Sequence, residues 1–204
     1  FEFKSIKQGA IKEHLASILE KEGLTFDDEA LTIIARRAEG GMRDALSILD
    51  QALSLSPDNH VSQTVAEEIT GSIGLTALDS FVANIRNQDT TQALSNLETL
   101  FDNGKSMSRF ATDLLEYFRD LLIVKAGGEN SHHSPLFEEN LSLEQDRLFQ
   151  LIDLVTSALP EIKTGTHPKI YAEMLTIKLS ETHTQASQEI PGNLQEELDS
   201  LRRE

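Results

Sequence analysis

Residues 39–51 read Glu-Gly-Gly-Met-Arg-Asp-Ala-Leu-Ser-Ile-Leu-Asp-Gln, a glycine pair followed by a run with helical spacing. Apolar side chains recur from this point at i, i+3, i+4 and i+7, the spacing that places them on one face of a helix. They are Met42, Ala45, Leu46, Leu49 and Leu53. The same spacing places Arg43 on the opposite face. The stretch therefore predicts an amphipathic helix with an outward-pointing arginine in its first turn.

The position of Arg43 is electrostatically unusual. A helix N-terminus carries about half a positive charge, so a cation there is disfavoured by roughly 0.3–1 kcal/mol unless an anion lies in front of it. Two interpretations follow from the residues alone. Arg43 is either a solvated surface arginine paired with Asp44 or Asp50, or a contact for a phosphate group. Periodicity by itself favours the surface arginine.

Two further helices precede this one, and nearly the whole chain has helical periodicity. Gly23 ends the first helix, and Thr25 followed three residues later by Asp28 predicts the cap of the second. Residues 56–60 form a breaker after the third helix. We therefore expect an all-α chain without strands, which begins with a three-helix bundle over residues 1–56.

The second part of the chain predicts a larger helical domain over residues 57–182. A short helix is expected at residues 63–70, and the longest apolar stripe, from Met107 to Leu122, predicts a central helix. Residues 127–141 are expected to form a long loop, Ser142 to cap the next helix, Pro160 to bend or end that helix, and Pro168 to start the last one.

The remaining residues, 183–204, predict a polar linker and a short terminal helix. Its apolar side chains are Leu194, Leu198 and Leu201. A helix this short is stable only when it packs against something. Because the chain begins with Phe1 and an alternating apolar and polar run, we expect it to be an internal part of a longer protein.

Composition excludes several classes of function. The net charge of −16 opposes binding to DNA, a polyanion, and the pair Arg36-Arg37 is expected to lie on a solvated helix face. With no cysteine, the chain has neither disulfides nor thiolate zinc sites. No apolar run is long enough to span a membrane, and no stretch combines the basic and apolar regions typical of a signal peptide. A soluble, cytoplasmic protein is expected.

Two motifs are chemically tempting but unsupported. Gly104-Lys105-Ser106 matches the end of a phosphate-binding loop, but Thr99 stands where the first glycine is required, so Gly104 is better explained as the end of a helix. His132-His133 lacks a third ligand at a useful spacing and is expected to be an exposed loop pair. We therefore predict no metal site and no catalytic residues in this chain.

The segment from Ala38 to Gln51 closely resembles the sensor-2 region of the gamma/tau family of bacterial DNA polymerase III, the AAA+ ATPases of the sliding-clamp loader. Weaker similarity to the collar domain of that family extends to about residue 182. It rests on Gly71, Asp89, Ala93-Leu94, Gly104, Asp113 to Leu115, Arg119 to Leu122, and His167-Pro168 with the helix that follows. The resemblance implies an AAA+ lid at residues 1–56, a helical collar at 57–182, and Arg43 as the nucleotide-binding residue.

What the resemblance implies about function concerns the intact subunit. ATP and its magnesium would be held by a preceding core domain, whose phosphate-binding loop and cysteine-ligated zinc module this chain lacks, so the chain alone is not expected to be an enzyme. The implied partners are other copies of gamma/tau, the delta and delta-prime subunits and, through the complete assembly, the sliding clamp and primed DNA. Bacterial DNA replication in the cytoplasm is the implied process.

Two alternatives stay open on the residues. The chain could be the lid and collar of a related recombination-associated AAA+ ATPase, which would keep nucleotide sensing but change the partners. It could also be a helical adaptor without a nucleotide role, in which Arg43 is a surface charge.

Overall fold

The computed structural model describes residues 7–130, 132, 134–181 and 200 of the chain. Within them the all-α prediction is confirmed, with helices α1 (Gln8–Lys21), α2 (Asp28–Arg37), α3 (Met42–Ser54), α4 (Gln63–Thr70), α5 (Leu75–Arg86), α6 (Thr90–Asp102), α7 (Met107–Lys125), α8 (Pro135–Asn140), α9 (Gln145–Thr164) and α10 (Pro168–Glu181). The predictions for the first six residues, for the linker and for the terminal leucines lie outside the described residues.

The apolar side chains form two separate cores. The first is built by α1 to α4 around Leu15, Leu31 and Ile34, and it also contains Val61 and Ala66. The second is built by α5 to α10. Helix α4 follows the predicted boundary at residue 56 and packs on the first core. The division of the chain into a lid at residues 1–56 and a collar at residues 57–182 therefore stays a prediction.

Two short strands, β1 (Thr25–Phe26) and β2 (His60–Val61), pair in parallel, although no strand was predicted. Thr25 was predicted to cap the second helix, and this prediction is wrong because Thr25 belongs to β1. Thr25 lies in β1, where its Oγ1 is 2.7 Å from Nδ1 of His60, and α2 begins only at Asp28. Asp27 extends this contact, since its carboxylate accepts a hydrogen bond from the backbone N–H of Gln63 at 2.9 Å. The paired strands and the contact of Asp27 therefore hold the starts of α2 and α4 side by side.

Helix α7 lies in the second core, as its long apolar stripe predicted. Phe110 on α7 meets Phe81 on α5 edge to face, with ring centroids 4.9 Å apart. Ser106 caps α7 by accepting a hydrogen bond from the N–H of Arg109, and Gly104 has a φ of 78° in the turn before it. That left-handed backbone favours glycine, so Gly104 ends the preceding helix and belongs to no phosphate-binding loop.

Two predictions about the C-terminal half are wrong, and a third is wrong in part. The expected loop at 127–141 contains α8, because the Ser134 side chain accepts from the N–H of Phe137 and Pro135 occupies the first turn. Helix α9 starts at Gln145 without a cap from Ser142. Pro160 does not end α9, which continues to Thr164, and because Pro160 is exposed, water can reach the carbonyl group that lacks a proline N–H partner. Pro168 does begin α10, as predicted.

The exposed large apolar side chains of the second bundle lie mostly outside the stretch from Leu75 to Leu122. Of the large apolar residues between Leu75 and Leu122, only Phe101 is among those exposed in the described ranges. The others in the second bundle lie near the end of α7 and on α9 and α10, at Ile123, Phe149, Ile170, Met174 and Ile177. None of the described helices has the length and apolar character needed to cross a membrane.

Candidate functional site

Arg43 is the second residue of α3 and lies directly after a left-handed turn. Glu39 has a φ of 50° and Gly40 a φ of 83°, a backbone conformation that glycine adopts without strain. Gly41 is the N-cap and, having no side chain, supplies no capping hydrogen bond. Ala45, Leu49 and Ala52 are buried, while Met42, Leu46 and Leu53 are partly buried against the first core. The predicted amphipathic helix is therefore confirmed, with Arg43 exposed.

The Arg43 guanidinium is not engaged. Within the part of the chain that the structure describes, it makes no hydrogen bond and no ion pair, either with Asp44 or with Asp50. Asp44 turns back toward the start of the helix, where its Oδ2 would lie 3.0 Å from a Cβ added at Gly41. Asp44 thus supplies negative charge to the helix N-terminus and leaves the donors of Arg43 accessible.

Arg36 joins the two bundles, which corrects the prediction that it lies on a solvated face. Its side chain is only 13% exposed, and Nη2 donates to Asp120 of α7 at 2.9 Å. A longer contact of 3.5 Å reaches Glu116. The sequence contained a signal for this contact, because two carboxylates on the same face of an otherwise apolar helix require a cation when they are buried.

The junction continues along α7 through Asp113. This buried carboxylate accepts from the backbone N–H of Ile73 at 2.8 Å and pairs with Arg109 at 2.7 Å. Burial raises the pKa of Asp113 above its ordinary value, although both contacts act to lower it. Burial also raises the pKa of Glu116, against the charge of Arg36. Positive charge is thus required at this junction.

His132 is buried, which corrects the prediction of an exposed histidine pair; its neighbour His133 lies outside the described residues. Its Nε2 lies 3.0 Å from a carboxylate oxygen of Asp79 on α5, and its Nδ1 lies 3.7 Å from Glu29 on α2. Asp79 also accepts hydrogen bonds from Tyr117 at 2.5 Å and from Ser134 at 2.8 Å. A second polar contact therefore links the two bundles.

His132 and Asp79 each favour the charged form of the other. Burial alone would lower the pKa of His132, but its contacts with Asp79 and Glu29 raise the pKa to about 9. Burial would raise the pKa of Asp79, but the hydrogen bonds from His132, Tyr117 and Ser134 hold it below its ordinary value. The favoured state at neutral pH is an imidazolium beside a carboxylate. Sequence reasoning missed this cluster because its members are far apart along the chain.

The start of α3 suits an anion better than a metal ion. No group of three or more metal-binding side chains occurs in the described ranges. The accessible donors of Arg43 and the uncapped start of α3 suit a phosphate group supplied from outside the chain. The bundle that carries Arg43 is in turn held to the second bundle by Arg36 and His132.

Two family models match the chain. One, described as DNA polymerase III clamp loader subunit, ATPase lid domain, matches residues 10–58. The other, described as DNA polymerase III subunits gamma and tau domain III, matches residues 61–191. Together they cover both bundles.

Individual relatives agree with these matches. DNA polymerase III subunit tau of Bacillus subtilis is 31% identical over 198 residues, which are 94% of this chain and 35% of that protein. Subunit gamma/tau of Mycobacterium tuberculosis is 28% identical over 189 residues, 88% of this chain and 33% of that protein. The chain thus spans about a third of the length of these relatives.

A solved structure, the Bacillus subtilis DNA clamp loader delta protein, matches this chain with a TM-score of 0.49 at 14% sequence identity. The match covers 88% of this chain and 58% of the delta protein chain. The two family models and the tau and gamma/tau relatives all concern one subunit of one replication complex. The chain belongs to the gamma/tau family of DNA polymerase III clamp-loader subunits.

Proposed function

We propose that this chain is the nucleotide-sensing lid and the ring-forming collar of an ATP-dependent clamp loader in bacterial DNA replication. Arg43 contacts a phosphate of ATP that is bound by a core domain preceding the lid. The observation that carries this proposal is the exposed guanidinium at the start of α3, which has no partner among the residues that the structure describes and lies in the segment that most closely resembles the family.

Binding of ATP across the core and the lid would favour one arrangement of the two over another. A ligand shifts a conformational equilibrium only by its differential affinity for the states. Arg43 provides that difference, because it reaches the phosphate in the closed arrangement alone. Arg36 and His132 then hold the lid to the collar, so that movement of one bundle acts on the other.

The second bundle supplies contacts to other subunits in this proposal. Phe149 is 49% exposed and Ile123 is 40% exposed, so both large apolar side chains are accessible to a partner subunit. Their partners would be other copies of gamma/tau, delta and delta-prime, with the sliding clamp and primed DNA engaged by the complete assembly in the cytoplasm. The chain itself has no catalytic role.

Substitution of Arg43 tests the sensing role in the intact subunit. Arg43→Ala removes a charge-assisted hydrogen bond worth roughly 1.5–3 kcal/mol, so ATP affinity should fall by about ten-fold to a hundred-fold, with slower clamp loading. Arg43→Lys should recover part of the loss, since an ammonium keeps the charge without the planar fork. Lys21→Ala, an exposed cation at the end of α1, is the control.

The same variants separate function from folding. Because Arg43 is exposed and fills no cavity, the thermal melting of Arg43→Ala should match that of the parent chain. Unchanged ATP affinity and loading would favour the adaptor alternative. For the collar, Phe149→Ser should weaken association with delta and delta-prime in sedimentation, whereas Leu55→Ser, equally exposed in the first bundle, should not.

A further inference from the structure

A basic groove of about 770 Å³ lies where the two bundles meet the turn before α7. Four cationic side chains line it, and two carboxylates, Glu39 and Glu68, lie among them. The cations are Arg37, Lys105, Arg109 and Lys163. This local excess of positive charge is opposite in sign to the net charge of the chain, which is −16.

Several of these cations have unused donors. Arg37 and Lys163 have no hydrogen bond or ion pair within the described residues. Arg109 pairs with Asp113, yet its Nε is buried without a partner. Lys105 donates to the carbonyl of Ser72 at 3.2 Å. The groove is therefore open to a ligand that carries carboxylates or other anions.

The groove continues into an apolar section of about 520 Å³, with Lys105, Ser106, Ser108 and Lys163 lining both parts. The apolar section adds Phe101, Met107, Ile162 and Ile170. Ile170 begins an exposed stripe along α10 that continues through Met174 and Ile177. These three side chains have the i, i+4, i+7 spacing of one helix face.

We propose that residues 194–201 of this same chain bind along the α10 stripe and the groove. Their sequence, Leu-Gln-Glu-Glu-Leu-Asp-Ser-Leu, has leucines at i, i+4 and i+7, the same spacing as the stripe. Three carboxylates, Glu196, Glu197 and Asp199, lie between the leucines and are opposite in charge to the basic groove. The segment thus offers both an apolar face and the complementary charge.

The chain is long enough for this contact to form within one molecule. Helix α10 has 14 residues and is about 21 Å long, and the groove lies at its first residues while the chain leaves from its last. Residues 182–193 lie between α10 and the segment, and extended they span up to about 40 Å. The segment can therefore turn back along the full length of α10.

Nucleic acid suits this surface less well. Lys169 lies over the ring of Phe101 at 4.6 Å from its centroid, so the ring face is not free to stack on a base. Phosphates outside the groove would also meet the acidic remainder of the chain. A short acidic and apolar peptide avoids both difficulties.

A spin label tests the proposal directly, because the chain has no cysteine and a single introduced thiol is unique. In the full chain, the substitution Gln195→Cys provides a thiol to which a nitroxide is attached. The amide NMR signals of Ser106, Met107 and Ile170 should then be selectively lost, while those of α1 persist. Intact signals at the groove would overturn the proposal.

A mixed sample distinguishes one molecule from two. One chain carries the nitroxide at natural isotope abundance, and the other carries nitrogen-15 but no nitroxide. When the two are mixed, the groove signals of the nitrogen-15 chain should persist. Loss of signal in this sample means that a second copy fills the groove. Groove signals that shift only on addition of an oligo-dT strand mean that nucleic acid does. Either result overturns the proposal.

Matched substitutions in the spin-labelled chain show which contacts matter. Lys163→Glu and Ile170→Ser should each abolish the signal loss at the groove. Lys21→Glu makes the same charge change on an exposed lysine outside the groove and should preserve the signal loss. Leu55→Ser removes an apolar side chain that is 55% exposed, against 51% for Ile170, and should also preserve it. Control variants that behave like the groove variants would contradict the assignment.

Discussion

Arg36 on α2 donates to Asp120 on α7 across 2.9 Å, and both side chains are at most 13% exposed. The two residues lie 84 positions apart, on helices that build different apolar cores. Removing one member of a buried ion pair leaves the other uncompensated, which is more damaging than losing the attraction itself. The contact therefore fixes how the first bundle lies against the second.

Replacement of Arg36 by Met should destabilise the chain by about 3–5 kcal/mol, because Glu116 loses its ion-pair partner and Asp120 keeps only the longer contact with Arg119, while the apolar stem is kept. Urea unfolding followed by circular dichroism measures the change. Arg119→Met is the matched control, since Arg119 contacts the same Asp120 at 3.3 Å but is 53% exposed, and it should cost less than about 1 kcal/mol. Equal effects would show that burial of Arg36 is unimportant.

The imidazolium of His132 should make stability depend on pH. Its pKa is about 9 in the folded chain against an ordinary 6.5, so the stabilisation is fully present below pH 6.5 and is lost as the pH rises through 9. The loss should be on the order of 3 kcal/mol. Urea unfolding at pH 6, 7.5 and 9 measures it, and His132→Gln should remove the dependence. His14→Gln, an exposed histidine on α1, should retain it.

Tyr117→Phe should cost about 1–3 kcal/mol, because it leaves polar groups of Asp79 and Asn140 with one hydrogen bond fewer in a buried site. Thermal melting at pH 7 measures the change. Tyr171→Phe removes a hydroxyl group that has no hydrogen-bond partner among the described residues, and it should be nearly neutral. A neutral Tyr117→Phe would mean that water replaces the lost hydroxyl group.

The chain alone should bind primer-template DNA more weakly than about 1 μM at physiological salt, since its net charge of −16 opposes the phosphate backbone. Electrophoretic retardation and a salt titration measure the affinity. Tighter binding that weakens steeply with salt would place DNA contacts in this part of the subunit.

The helices could be predicted from the sequence because their apolar spacing and their glycine ends are local signals. The contact of Arg36 had only a partial signal, the two carboxylates on one face of α7, and the contacts of His132 had none, because the partners of both residues come together only in the folded chain. The short strands were missed for a related reason, since Thr25 has the chemistry of a helix cap and its actual partner, His60, is 35 positions away. Arg43 was placed correctly on an exposed helix face because that placement follows from its neighbours alone.

The pairing of β1 with β2 also determines which residues fold as a unit. It ties the start of α2 to the start of α4, so that Ala66 and Val61 complete a core otherwise made before residue 53. Contacts across such a separation carry a loop-closure cost that contacts within one helix do not. The core of the first bundle is incomplete without α4, which ends at Thr70. The smallest piece that folds cooperatively extends beyond the segment that matches the lid.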